Sequence, residues 1–160
     1  MPVYLFTYHA YRSWMPDHKR GYTKRSEGYQ RPDEEVAREY EKCAKDEPTL
    51  FDRKIQKILI EELQKTCKHI SCRLLAGTSE PSHVHGLASW KHQRRWMSIR
   101  SSIKTSLTKR LKQLDKSLRL SRGASRKHVI TCKHFDHLMK TYLPKHAGVG
   151  WFEDRGWIHE

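Results

Sequence analysis

The chain has no apolar run approaching the ~18 residues that a membrane span needs, and its mean hydropathy is −0.88. Nothing in it is expected to cross a bilayer. The opening residues, MPVYLFTYHAYRSW, lack the basic stretch followed by an apolar one that marks a secretory signal, so a cytoplasmic protein is expected. Cysteine is scarce. Cys43, Cys67, Cys72 and Cys132 form no CxxC pair and fit no common zinc framework. Reduced thiols are the expectation, some of them buried as small apolar residues, and a structural zinc protein fits poorly. No repeat, low-complexity tract or linker interrupts the 160 residues, a length that suits one domain with a modest core. A single domain over 1–160 is expected, with an acidic insertion at about 26–52 and a tail at about 147–160.

Acid is nearly missing from one long stretch of the second half. Lys91 to Lys133 contains fourteen Lys/Arg and one acid, Asp115, whereas Ser26–Asp52 holds nine of the eighteen acidic residues. The whole chain carries 32 Lys+Arg, a formal charge of +14 and a pI near 9.8. A polyanion is the expected partner, because Lys and Arg neutralising phosphates release condensed counterions. Aromatic residues make up 10% of the chain, five of them Trp, which is core and stacking material rather than the composition of disorder. Histidine is plentiful, at eleven.

Val3–Tyr11 alternates and is rich in aromatics, so it is predicted to be a strand. Trp14–Gln30, with Pro16, Gly21 and Gly28, is predicted to be a loop. Pro32–Lys45 is predicted to be a short acidic helix capped by Asp33. Phe51–Lys68 has a helical stripe of Phe51, Ile55, Ile58, Leu59, Leu63 and Cys67. Ile70–Ala76 and His83–Trp90 are predicted strands flanking the turn-like Gly77–Ser82. Trp96–Leu118 is a second long helix, basic on its outer faces. A loop at Ser121–Ser125, a short strand at His128–Thr131 and a helix at His134–Tyr142 follow. Strand, helix, strand, strand, helix, strand is the order of a ferredoxin-like split βαβ α/β domain, with an antiparallel sheet, helices on one face and an appended C-terminal helix.

The sharpest local feature is His83-Val84-His85 on a predicted strand. Residues i and i+2 share a face of a strand, so the two imidazoles point together and form half of a metal site. Other chemistries that use an HxH pair fail in place. Leu87 stands where a third histidine of a histidine-triad hydrolase, the aspartate of an HxHxDH hydrolase or the hydroxyl of a two-histidine phosphodiesterase would be.

A histidine pair in a basic domain, followed by a tyrosine-bearing helix in HLMKTYLPKHAG, resembles the single-tyrosine HUH transposases. Within these, it resembles in particular the REP-associated tyrosine transposases and related insertion-sequence enzymes. SHVHGLASW resembles the HUH strand, and the opening strand running into Trp14-Met15-Pro16 resembles the first strand of the family. SRGASRKH and HFDHLMKTYLPKHAGVGWFEDRGW resemble its C-terminal segment. The resemblance implies that His83 and His85 are metal ligands and that Tyr142 is a nucleophile. The family places a third ligand four residues after the tyrosine, usually Gln or Asn, and here His146 stands there. The implied cofactor is a divalent metal, Mg²⁺ or Mn²⁺, although three histidines favour a softer ion than Mg²⁺, such as Mn²⁺ or Zn²⁺.

The implied reaction is cleavage and rejoining of single-stranded or hairpin DNA through a 5′-phosphotyrosine. A basic trench would hold the strand, with Arg100, Lys104, Lys109, Arg110 and Lys112 from the long helix and Arg122, Arg126 and Lys127 from the segment after it. Either a monomer or a homodimer fits. The alternative is a non-catalytic nucleic-acid-binding domain with the same fold and basic face. On their own, Tyr142 is also compatible with an ordinary helix-end aromatic and His146 with a dipole-favoured C-terminal histidine. Trp151 and Trp157 could stack on unpaired bases or pack the tail onto the sheet. Pro144 disfavours a helical Leu143, so a fray or kink is expected between Tyr142 and His146.

Overall fold

Alternation along Val3–His9 (β1) sends Tyr4, Phe6 and Tyr8 to one side of a sheet and Leu5 to the other. The computed structural model describes residues 1–24, 27–44 and 46–159. After β1 come β2 (Tyr22–Lys24), β3 (Gly28–Gln30), α1 (Glu34–Lys42) and α2 (Arg53–His69). β4 (Cys72–Glu80), β5 (His83–Trp90), α3 (Trp96–Leu114) and β6 (Ser125–Val129) follow. The chain ends with α4 (Cys132–His137), a helical continuation to Lys145, β7 (Gly150–Phe152) and β8 (Gly156–Ile158). The main sheet has the order β6-β1-β5-β4-β7-β8, antiparallel throughout. Its first four members form the expected ferredoxin-like arrangement, and β7–β8 extends the β4 edge.

α2 and α3 cover one face. Asp52 caps α2 by accepting from the Ile55 amide at 2.7 Å, and Leu59, Ile60, Leu63 and Cys67 are buried beneath it. In α3, Ile99, Ile103, Leu107 and Leu111 recur every four residues and are all buried. Each such side chain contributes roughly 1.5–3 kcal/mol of transfer free energy. Val84, Ala88 and Trp90 of β5 face this layer. His83 and His85 therefore lie on the opposite face, where Leu138, Met139 and Leu143 pack on Leu5, Leu75, Ala76 and Leu87.

Several local expectations change. The predicted loop at 14–30 contains the β2–β3 hairpin, whose second strand begins at Gly28 with φ +74°. The residues Gly77–Glu80 are strand, not turn, leaving only Pro81-Ser82 between β4 and β5. Gly77 and Thr78 have ladder partners on both sides, in β5 and β7, and that pairing overrides their turn propensity. α3 ends at Leu114, because Asp115 leaves helical geometry and accepts from the Ser117 amide. The strand near 128 starts earlier, at Ser125, in register with Thr7 of β1. Asp33 caps α1 as expected, whereas Lys45, the predicted end of that helix, and Ser26, at the start of the acidic stretch, lie outside the described residues.

Pro144 does not break the C-terminal helix. The helical path widens to a π turn over Leu138–Tyr142, with the Leu143 amide bonded to the Leu138 carbonyl, and then tightens to a 3₁₀ turn over Leu143–Lys145. In the π register residue 144 would donate to the Met139 carbonyl. Pro144 has no N–H, and the Arg155 guanidinium donates there at 3.1 Å instead. Beyond this, a Cβ on Gly148 would collide with the Ser79 carbonyl oxygen, so glycine is what allows the chain to lie against β4. Trp151 and Trp157 are paired across β7–β8 and half-buried against the helix-side core, with the Lys57 ammonium 5.6 Å from the Trp157 ring. Packing is thus their role in this fold. All four cysteines are free thiols, and burial pushes Cys67 up to about 12. Among the described residues, no helix is long and apolar enough to cross a membrane.

Candidate functional site

The sheet register assembles the site. His83 lies between His9 of β1 and Glu80 of β4, and His85 lies between Thr7 and Thr78. The π and 3₁₀ turns lay Tyr142 and His146 over the same spot. His83, His85 and His146 each bring a ring nitrogen within 4.8 Å of the other two. The three predicted ligands are therefore gathered in one place, from β5 and from a segment more than sixty residues later.

In each of the three imidazoles Nδ1 is occupied. That of His83 is 2.8 Å from the Ser82 hydroxyl, that of His85 is 2.7 Å from the Thr7 hydroxyl, and that of His146 is 3.1 Å from Glu80 Oε1. The Nε2 atoms of His85 and His146 are buried without a hydrogen-bond partner, and the His83 Nε2 has Glu80 Oε2 at 3.9 Å. Thr78 Oγ1 and His9 Nδ1 are two more buried atoms without partners in the same cluster. Buried polar atoms are normally satisfied, so a concentration of unsatisfied ones marks a place built for a ligand. Imidazoles held at Nδ1 with Nε2 free are the usual form of metal-binding histidine. The donor set fits a divalent transition metal better than a hard oxygen-seeking ion. Burial, reinforced by the neighbouring imidazoles, pushes His83 down to about 4 and His85 to about 2, so both are neutral donors at physiological pH.

Tyr142 stands beside this cluster, and its side chain is 38% exposed. Its ring is 5.7 Å from that of His85 and 5.2 Å from that of His146. Partial burial holds its hydroxyl above the usual range, with Arg20 opposing and Glu80 reinforcing the shift. The phenol is thus protonated and needs a nearby cation to become a nucleophile.

Glu80 is the residue that the motif did not assign. It accepts from the Ala147 amide at 3.2 Å as well as contacting His146, and so pins the end of the tyrosine segment to β4. Its position three residues before His83 was the available signal. Thr7 and His9 had none, since only strand pairing brings them to the histidines, whereas Ser82 is the chain neighbour of His83.

The basic residues divide between two surfaces. α3 packs on the face opposite the histidines, so Lys109, Arg110 and Lys112 on its last turns do not border them. The Arg100 guanidinium donates to the Ala124 carbonyl at 2.9 Å, and the Lys104 ammonium donates to the Arg122 carbonyl. Arg126 sits 4.1 Å above the Trp96 ring, also on the helix side. Lys127 alternates with it along β6, opposite Leu5, and shares the face of the histidines. Arg122 is exposed in the loop before β6.

A family model described as IS200-like transposase matches residues 42–138. The match contains His83 and His85 and ends before Tyr142 and His146. No relative was found among the curated proteins. Among solved structures, one of a REP-associated tyrosine transposase bound to a REP hairpin is 12% identical, with a TM-score of 0.48 over 86% of this chain and 61% of that one. The present chain thus spans about three fifths of that protein's length. A protein of Deinococcus radiodurans R1 assigned as a transposase is 10% identical, with a TM-score of 0.50 over 91% of this chain and 92% of its own, and has the same fold.

Proposed function

Because the chain belongs to the IS200-like transposase family, we propose that it cleaves and rejoins single-stranded DNA, near hairpins, through a covalent bond to Tyr142. One observation carries this reading: the unsatisfied Nε2 atoms of His85 and His146 converge with His83 beside the Tyr142 ring. His83, His85 and His146 would hold a divalent metal, Mn²⁺ in preference to Mg²⁺. When bound it would polarise the scissile phosphate and favour the Tyr142 phenolate.

The protein's own residues do the rest. Ser82, Thr7 and Glu80 fix the three imidazoles with Nε2 inward. The Tyr142 oxygen attacks phosphorus in line, a P–O bond to tyrosine forms, and the bond to the 3′ oxygen breaks. That oxygen takes up a proton and departs as a free 3′-OH, leaving a 5′-phosphotyrosine. The energy of the phosphodiester is kept in the new bond, so another 3′-OH reverses the step. Arg100, Lys104, Lys109, Arg110, Lys112, Arg122, Arg126 and Lys127 contribute to binding of the strand. Lys127 serves the face of the histidines, and those on α3 serve DNA that extends around the helix side. We assign these roles to one domain spanning 1–160.

The test is a denaturing gel of the protein with labelled hairpin-bearing single strands and Mn²⁺ or Mg²⁺. A covalent band is expected, which Tyr142→Phe abolishes while DNA affinity stays within about twofold, because only the hydroxyl is lost. Cleavage by Tyr142→Phe would exclude tyrosine as the nucleophile. Tight binding with no band across a varied pool of strands would favour a non-catalytic nucleic-acid-binding module.

A further inference from the structure

Trp151 and Trp157 are committed to packing, which leaves the question of which aromatic ring could meet an unpaired base. Among the described residues, the exposed aromatic side chains are Trp14, Tyr29, Tyr40 and Tyr142. Tyr142 is the nucleophile proposed above. Trp14 is 41% exposed, and ring contacts connect it to the histidine cluster. Its indole meets His9 edge-on at 5.7 Å, and His9 in turn lies 5.8 Å from His83.

The indole is also held still. Its Nε1–H donates to the Gly21 carbonyl at 2.9 Å, and the His18 ring stacks on it at 3.9 Å with an interplanar angle of 19°. Gly21 has φ +68°, and a Cβ there would collide with the Gln30 carbonyl oxygen, so glycine is required for the turn that presents this acceptor. Arg20, next to Gly21, is close enough to Tyr142 to favour its phenolate. One short loop therefore places an immobilised indole on the His83 side of the site and a cation on the Tyr142 side.

We propose that Trp14 is a stacking platform for an unpaired nucleobase adjacent to the phosphate held at His83, His85 and His146. The proposal rests on the single-strand reading above and adds the ligand of a second subsite. Every base has a π face, so the platform accepts any base and serves to seat the strand rather than to read it. Fixing the indole in advance removes the rotamer loss that binding would otherwise incur. The partner must be single-stranded at this point, because a base inside a duplex has no free face to offer.

The experiment compares two probes of equal length by fluorescence anisotropy: a mixed-sequence 20-nucleotide single strand, and a phosphodiester chain of abasic tetrahydrofuran units. Wild-type protein is expected to prefer the base-bearing strand. Trp14→Ala is expected to lose about tenfold of that preference while its affinity for the abasic chain changes less than about twofold. Trp14→Phe should retain most of it. Equal weakening of both probes by Trp14→Ala would overturn the platform, since it would mean that the residue supports only charge or folding. A second measurement guards against misfolding. With 2-aminopurine placed at successive positions, Trp14→Leu, apolar but not aromatic, should relieve the quenching seen at one or two positions in wild type. Unchanged quenching would also overturn the proposal. Wild-type protein that binds neither probe would overturn the DNA reading itself, and the platform with it.

Discussion

The two faces of β5 are built from alternate residues of one eight-residue strand, yet they differ in kind. Val84, Ala88 and Trp90 enter a closed apolar layer beneath α2 and α3. On the other side His83 and His85 enter a cluster in which the Nε2 atoms of His85 and His146 are buried without hydrogen-bond partners. A Cβ on Gly86 would meet the Leu63 side chain of α2 at ordinary contact distance. Leu87, beyond the histidines, returns to apolar packing under Leu143. The helix face supplies the free energy that lets the site face keep unsatisfied polar atoms in place. Stability and chemistry are thus separable by residue parity.

The comparison can be broken first from the helix side. Leu63→Ala removes a fully buried side chain and should cost about 2–5 kcal/mol in urea unfolding. A loss below 1 kcal/mol would mean that the core does not rest on this layer. From the site side, Glu80→Ala should leave the urea midpoint nearly unchanged but weaken Mn²⁺ binding by about 10- to 100-fold in calorimetry, with Glu80→Gln recovering part of it by accepting the same hydrogen bonds. Equal affinities in all three proteins would show that Glu80 does not orient His146.

The smallest effect concerns pH. His83 and His85 have folded values near 4 and 2 and titrate near 6.5 in an unfolded chain. Below about 6.5 the unfolded state binds more protons, so stability is full above that pH and falls as pH drops. Metal-free protein should lose on the order of 1 kcal/mol per pH unit between 6.5 and 5. The double variant His83→Gln/His85→Gln should show a flatter profile over that window, and an unchanged slope would assign the loss to other groups.

Much of this arrangement was legible because it is periodic. The stripe Ile99, Ile103, Leu107, Leu111 announces α3, and His83-Val84-His85 declares its own two faces. Tyr142 and His146 were not legible from periodicity; only the family resemblance singled them out, through their places in HLMKTYLPKHAG. What escaped notice depends on pairing between distant residues. Gly77–Glu80 has the composition of a turn and becomes strand because β5 pairs along all of it and β7 adds partners to Gly77 and Thr78. Thr7 reaches His85 across seventy-eight positions. The accommodation of Pro144 needs Arg155, a residue beyond the helix it repairs. Trp14 was visible as an aromatic near the start, but nothing local indicates that Gly21 locks it or that His9 carries it to His83.

The stretch from β6 to β7 can be viewed as a strap. It leaves one flank of the sheet at Val129, crosses β1, β5 and β4 through Leu138 and Leu143, and is stitched down again where β7 pairs with Ala76–Thr78. Tyr142 and His146 sit in mid-span, with a ladder of strand hydrogen bonds on each side. A pull on a DNA end joined to Tyr142 would be shared between two anchorages in different parts of the sheet, and neither could slip without unzipping a strand. The same double fastening sets the terms of any exchange between two molecules. To pass Tyr142 to a neighbour while keeping the connection to β7, the chain would have to release β7 and β8 as well, baring the edge of β4.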